Sequence, residues 1–186
     1  VPLLLLATVP AGIVGLTLAD PVEKLFNNPA LVAVALLGTG LVLLVGQKMT
    51  REGGRSGDVT PAQALLIGIG QAVAVIPGLS RSGMTISTGL LVGLEKDWAA
   101  RFAFLLSVPV IAGAGVKEGL DLLAARISSG EWCLLTWGLM ASAVSGLLGI
   151  HAVVRLVHGR RLWWFAVYCA VVGVFTLGAL ASGLLR

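Results

Sequence analysis

The chain has 186 residues, 57% of them apolar and only 12% charged, with a mean hydropathy of +0.97; soluble domains carry about 25% charged residues. That balance excludes an ordinary soluble domain and points to an all-α polytopic membrane protein. The net charge of +4 does not indicate nucleic acid, because the basic residues stand in short loops between apolar runs, not along one helix face.

A helix needs about 20 residues to cross the apolar core of a bilayer, and by that measure five full spans are predicted at 1–18, 30–47, 99–116, 132–150 and 162–185. Polar punctuation separates them at 20–28, 47–60, 95–97, 117–131 and 151–161. Trp98, Trp132, Trp163 and Trp164 stand at the starts of spans, where an interfacial aromatic belt forms. Pro10 and Pro109 are expected to kink their helices. Gly138, Ser142 and Gly146 form a small-xxx-small ridge that predicts close helix packing. Cys133 and Cys169 lie in apolar stretches without CxxC spacing and read as small core residues. The opening VPLLLLATVPAGIVG has no Met and no basic segment, so no signal peptide is expected. The chain is expected to start partway into a longer protein.

Residues 61–94 depart from the spanning pattern. The first arm, AQALLIGIGQAVAVI, has 15 residues before Pro77, and the second, GMTISTGLLVGL, has 12; as helices they rise only about 22 Å and about 18 Å. With six glycines and a Pro-Gly break, they predict a re-entrant helical hairpin whose tip lies at membrane depth, received by protein or a water-filled cavity. Loops 47–60, 95–101 and 151–161 then share one face, with Lys48, Arg51, Arg55, Lys96, Arg101, Arg155, Arg160 and Arg161. The other face holds Lys24, Lys117, Arg126 and Arg186. The richer face is cytoplasmic by the positive-inside rule, and the tip points away from it.

The tip itself reads IPGLSRSGMT. An arginine at bilayer depth costs about 2.5–3.5 kcal/mol and marks a functional-site candidate; snorkelling is disfavoured for Arg81 because it sits at the turn. Gly78 can take a positive φ, and Ser80 or Ser82 can then cap a second helix whose first N–H groups, around Ser82 to Met84, point at the tip. Guanidinium matches phosphate oxygens with a bidentate fork, and Ser80, Ser82 and Thr85 add hydroxyls. With no acidic partner close in sequence, this set asks for an anion. Residues 61–94 contain no His, Asp or Glu, hence no evident general base and no oxygen cluster for Mg²⁺ or Ca²⁺. His151 and His158 are expected in the opposite, basic loop.

ALLIGIGQAVAVIPGLSRSGMTIS followed by ARFAFLLSVPVIAGA closely resembles the C-terminal part of the undecaprenyl-pyrophosphate phosphatase family, also called bacitracin-resistance proteins. The PGxSRSGxT signature is matched by Pro77, Gly78, Ser80, Arg81, Ser82, Gly83 and Thr85. The resemblance implies hydrolysis of a polyprenyl pyrophosphate to the monophosphate in the cytoplasmic membrane. This recycles the lipid carrier for cell-wall synthesis, at a site open to the outer side and dependent on a divalent cation (Mg²⁺ or Ca²⁺). It implies that Arg81 binds phosphate, that Ser80, Ser82 and Thr85 line the site, and that Gly78, Gly83 and Gln71 contribute to substrate binding. Gln71 would match the first polar position of an acidic motif in the other hairpin of an inverted repeat, with residues 1–60 ending the first repeat and 61–186 forming the second. The family's first motif, a Glu-rich segment, a Ser-rich turn and a His, is upstream of anything present here, so its base or nucleophile and its metal ligands are not expected in this chain. The pattern leaves room for a homo-oligomer. Two rival functions fit the residues: a lipid-phosphate transporter or flippase, and a non-catalytic lipid-pyrophosphate-binding protein.

Overall fold

The computed structural model describes residues 2–48, 59–124, 128–158 and 162–184. They form helices α1 (Pro2–Thr17), α2 (Ala19–Phe26), α3 (Pro29–Lys48), α4 (Pro61–Val73), α5 (Arg81–Leu91), α6 (Lys96–Ala124), α7 (Ser129–His158) and α8 (Leu162–Ala181). Four of them, α3, α6, α7 and α8, contain stretches long and apolar enough to cross a membrane. The first expected span, α1, has only 16 helical residues, a rise of about 24 Å, because the chain breaks at Leu18 and turns into α2. The protein is a multi-pass, all-α membrane protein.

Three stretches expected as loops are helical. Residues 19–26 form α2, where Val22 and Leu25 are half-buried and Glu23 and Lys24 exposed. Lys117 and Glu118 extend α6, and His151 belongs to α7, not to a loop. A run of polar residues does not end a helix unless Pro, Gly or a competing cap does so. Ser128 begins α7 with such a cap: its N–H and hydroxyl donate to Glu131 Oε2 at 2.6 and 2.7 Å. Arg51, Arg55, Arg126, Arg160, Arg161 and Arg186 of the charge count lie outside the described residues.

The hairpin is held at its base and along both arms. Thr60 caps α4 by accepting from the Gln63 N–H at 3.3 Å, while Gln63 Oε1 accepts from the Thr60 N–H at 2.9 Å. The amide of the same Gln63 donates to the Val92 carbonyl at 2.9 Å, tying the start of α4 to the end of α5. α4 packs on α1, α5 packs on α3 and α6, and α8 covers α3. A Cβ added at Gly68 would strike the Ala7 backbone, so this glycine sets the approach of α4 to α1. Ile67, Ile86, Leu90, Phe102 and Leu106 close the core around the arms.

α3 and α5 run in the same direction, with Thr39 beside Gly78 and Ser80 and Gly46 beside Ser87. The Gln47 side chain accepts from the Trp163 N–H at 2.8 Å, joining the end of α3 to the start of α8. The ends of α3 and α5 and the starts of α4 and α8 therefore share one side, as the loop-charge argument requires. The tip packs against Val32 and Ala35, in the first two turns of α3, so the hairpin traverses most of the length that α3 spans.

α7 is different. Its main contact among the described helices is with α6, with Val153 near its end also packed against the core, and the window that qualifies it as a span has no buried residue. The expected packing ridge meets nothing: a Cβ at Gly138 or Gly146 would have no described atom within 4 Å. Cys133, on the same helix, is exposed and not in a core, whereas Cys169 on α8 is buried. The tryptophans stand at helix starts, with Trp163 and Trp164 stacked at 4.2 Å between ring centroids and Arg101 lying over Trp98 at 5.9 Å.

Candidate functional site

The tip begins where α4 ends, at Val73, and passes through Pro77 and Gly78 before α5 starts at Arg81. Gly78 has φ +93°, a conformation that L side chains rarely adopt, and a Cβ there would run into the Val32 carbonyl and the Ala35 methyl. Both constraints demand glycine. Ser80, with φ −71° and ψ 113°, is the N-cap of α5; its Oγ accepts from the Gly83 N–H at 3.1 Å.

The turn is fastened from outside the motif by Thr39, which is 1% exposed within the apolar span α3. Its hydroxyl accepts from the Ser80 N–H at 3.1 Å and lies 3.1 Å from the Gly78 carbonyl and 3.2 Å from the Ala35 carbonyl, donating to one at a time. Sequence reasoning missed Thr39; the available signal was a lone hydroxyl between Gly38 and Gly40 in an otherwise aliphatic helix.

The motif residues divide between two sides of α5. Ser80, Ser82 and Gly83 face a pocket of about 20 Å³ closed by Leu43, Ile86, Val153 and Phe165, room for about one water molecule. Ser80 and Ser82 hydroxyls are 3.4 Å apart. Thr85 is 2% exposed and turns its hydroxyl back onto the Arg81 and Ser82 carbonyls at 2.9 and 3.2 Å, so it lines neither this pocket nor the larger cavity. The Gly83 N–H and the Gly78 carbonyl are likewise engaged, by Ser80 and Thr39.

Arg81 and Gln71 lie on the other side, in a cavity of about 360 Å³ between α1, the hairpin tip and α6. Thr8, Ala11 and Leu16 of α1 and Val110, Lys117 and Glu118 of α6 contribute to its wall. Gln71 is 1% exposed, yet neither its amide nitrogen nor its carbonyl oxygen has a hydrogen-bond partner. Leaving such a group unpaired costs about 1–3 kcal/mol, a cost proteins retain where a ligand supplies the partner. Arg81 is exposed, and among the described residues no group accepts a hydrogen bond from its guanidinium. The Arg81 and Ser82 backbone N–H groups are the unclaimed donors of the first turn of α5, since Gly83 and Met84 already donate to Ser80. A fixed cation, a helix N-terminus and a buried amide thus converge on one cavity, an arrangement suited to an anion.

Glu118 corrects the expectation that no carboxylate stands near Arg81: it is distant in sequence but lines the same cavity. Among the described residues no group of three or more His, Cys, Asp or Glu that could hold a metal ion stands together. His151 is exposed on α7 and lines neither the pocket nor the cavity at the tip.

A profile of the family described as bacitracin resistance protein BacA matches residues 1–175. The chain belongs to that family. Among curated relatives of this bacitracin resistance family, the chain is 38% identical over 184 residues to an undecaprenyl-diphosphatase of Trichlorobacter lovleyi, covering 98% of this chain and 68% of that protein. It is 42% identical over 167 residues to the undecaprenyl-diphosphatase of Geobacter sulfurreducens, covering 89% and 62% respectively. With that of Methanosphaera stadtmanae it shares 37% over 175 residues, 94% of this chain and 62% of the other. The chain therefore spans 62–68% of the length of these relatives.

Proposed function

We propose that this chain carries the anion-binding part of the active site of an undecaprenyl-pyrophosphate phosphatase, which releases phosphate from the lipid carrier and leaves the monophosphate. The observation that carries the reading is the convergence of Arg81, the start of α5 and the unpartnered Gln71 amide on one cavity, in a chain whose relatives are named undecaprenyl-diphosphatases.

In this reading Arg81 grips non-bridging oxygens of the terminal phosphoryl group. It stabilises the charge that builds there as the phosphoanhydride bond to the lipid-side phosphate breaks. The start of α5 at Arg81 adds the field of the helix terminus, and Gln71 orients the bound headgroup. Ser80 and Thr39 are positioning residues: one fixes the helix start, the other the turn before it. Thr85 supports the first turn through its bond to the Arg81 carbonyl. The proton acceptor, the attacking group and the divalent cation implied by the family resemblance are not assigned to residues of this chain. Loop charge supports a cytoplasmic-membrane location with the tip directed outward.

Phosphate release from a long-chain polyprenyl pyrophosphate by the purified full gene product tests the proposal. Turnover that disappears in Arg81→Ala, with the protein still folded, supports it. Binding of the lipid without any phosphate release would leave a carrier or transporter in its place.

A further inference from the structure

The cavity at the tip holds a second cation that the motif does not contain. Lys117, in the last third of α6, lines the same space as Arg81 and Gln71, although it is separated from the motif by a complete helix pass and falls within the part of α6 that is apolar enough to span. The Lys117 ammonium has no partner among the described residues. Its place on the cavity wall, beside Arg81 and Gln71, sets it apart from the other loop-face cations. Here a second, independent observation points the same way, since the buried Gln71 side chain on the cavity wall has no partner on either polar atom.

The geometry points to Lys117 as the second phosphate contact of the headgroup site, dividing a two-phosphate group with Arg81. This inference rests on the phosphatase reading for the identity of the ligand. Arg81 is fixed at the first position of α5, where the turn and the N-cap hold its backbone. Lys117 stands about one to two turns beyond Val110 and Gly113 on the α6 wall of the same cavity, which Leu16 near the end of α1 also lines. A guanidinium offers a planar fork, and an ammonium on a flexible stem offers a mobile point charge. The pair suits a headgroup with one phosphate seated at the tip and another on the α6 wall. Glu118, adjacent on α6, lines the cavity too and opposes excess negative charge. The two cations outnumber this carboxylate, so an anion with two phosphates, each reached by one cation, gains more from the pair than a monophosphate does.

The test measures binding of two non-hydrolysable lipids, a farnesyl methylenebisphosphonate and a farnesyl monophosphonate, to the full gene product in detergent by calorimetry. Lys117→Gln is expected to weaken the bisphosphonate about fivefold, the scale of an exposed charge pair, and to change the monophosphonate less. The difference should shrink as salt is raised, and Lys117→Arg should bind the bisphosphonate as wild type does. Unchanged bisphosphonate binding in Lys117→Gln overturns the inference. So does an equal loss for both lipids, or a loss in Lys117→Arg as large as in Lys117→Gln. Phosphate release is measured in parallel to separate the two claims. A wild-type protein that hydrolyses the substrate while Lys117→Gln binds normally refutes Lys117 alone. A protein that hydrolyses nothing but loses bisphosphonate affinity in Lys117→Gln refutes the phosphatase reading and leaves the contact standing.

Discussion

The two sides of α5 carry the same signature motif to opposite ends. On the side facing α3, α7 and α8, the hydroxyls and backbone groups are occupied: Ser80 caps, Thr39 clasps the turn, and only about 20 Å³ stays empty. On the side facing α1 and α6, Arg81 and Gln71 border about 360 Å³ with their side-chain polar atoms unclaimed among the described residues. A polar motif in an apolar protein is thus not uniformly a ligand site. Part of it builds the turn, and the turn delivers the remainder to the open cavity.

Substitutions can break or sharpen that division. The largest effect is expected from Arg81→Ala, which should lower the phosphate-release rate by about 10²–10³ while thermal unfolding in detergent stays near wild type. Similar rates in both proteins would remove the open side from the chemistry. Thr39→Val comes next: it strips the Gly78 carbonyl and the Ser80 N–H of a buried partner, with an expected loss of about 1–3 kcal/mol, read as a lower midpoint of thermal unfolding. Ser80→Ala should destabilise by about 1 kcal/mol through loss of the cap, whereas Ser80→Asn, which can still cap, should recover most of it. If Ser80→Asn unfolds like wild type but has no turnover, the Ser80 hydroxyl does chemistry and the closed side is misassigned. Thr85→Val deletes only a back-bond to carbonyls of its own helix and should cost less than about 1 kcal/mol. Smallest is Gly138→Leu on α7, which has open space for the new side chain and should stay within about 0.5 kcal/mol.

Local chemistry explains what could be read in advance. Pro77-Gly78 and the two short arms announced the hairpin, since arms that rise about 18–22 Å cannot each span about 30 Å. Ser80 stood where a cap belongs, and the structure has it accepting from Gly83. Boundaries were less legible: α6 and α7 run through polar residues at 117–124 and 151–155 because nothing there stops a helix. The Gly138 ridge met no described neighbour, because small-residue spacing records the capacity to pack and not the presence of a partner.

The sequence by itself determined the class of protein, the hairpin and the cationic tip, since apolar run length, turn residues and an arginine beside a Pro-Gly break are local properties. Only the tertiary structure decided which neighbours the tip received. Thr39 reaches it across 39 residues to Gly78 and 41 to Ser80, and Lys117 and Glu118 enter its cavity from the far end of α6. Such pairings are set by how helices stack side by side, and no periodicity along one helix encodes which residue of another will stand opposite.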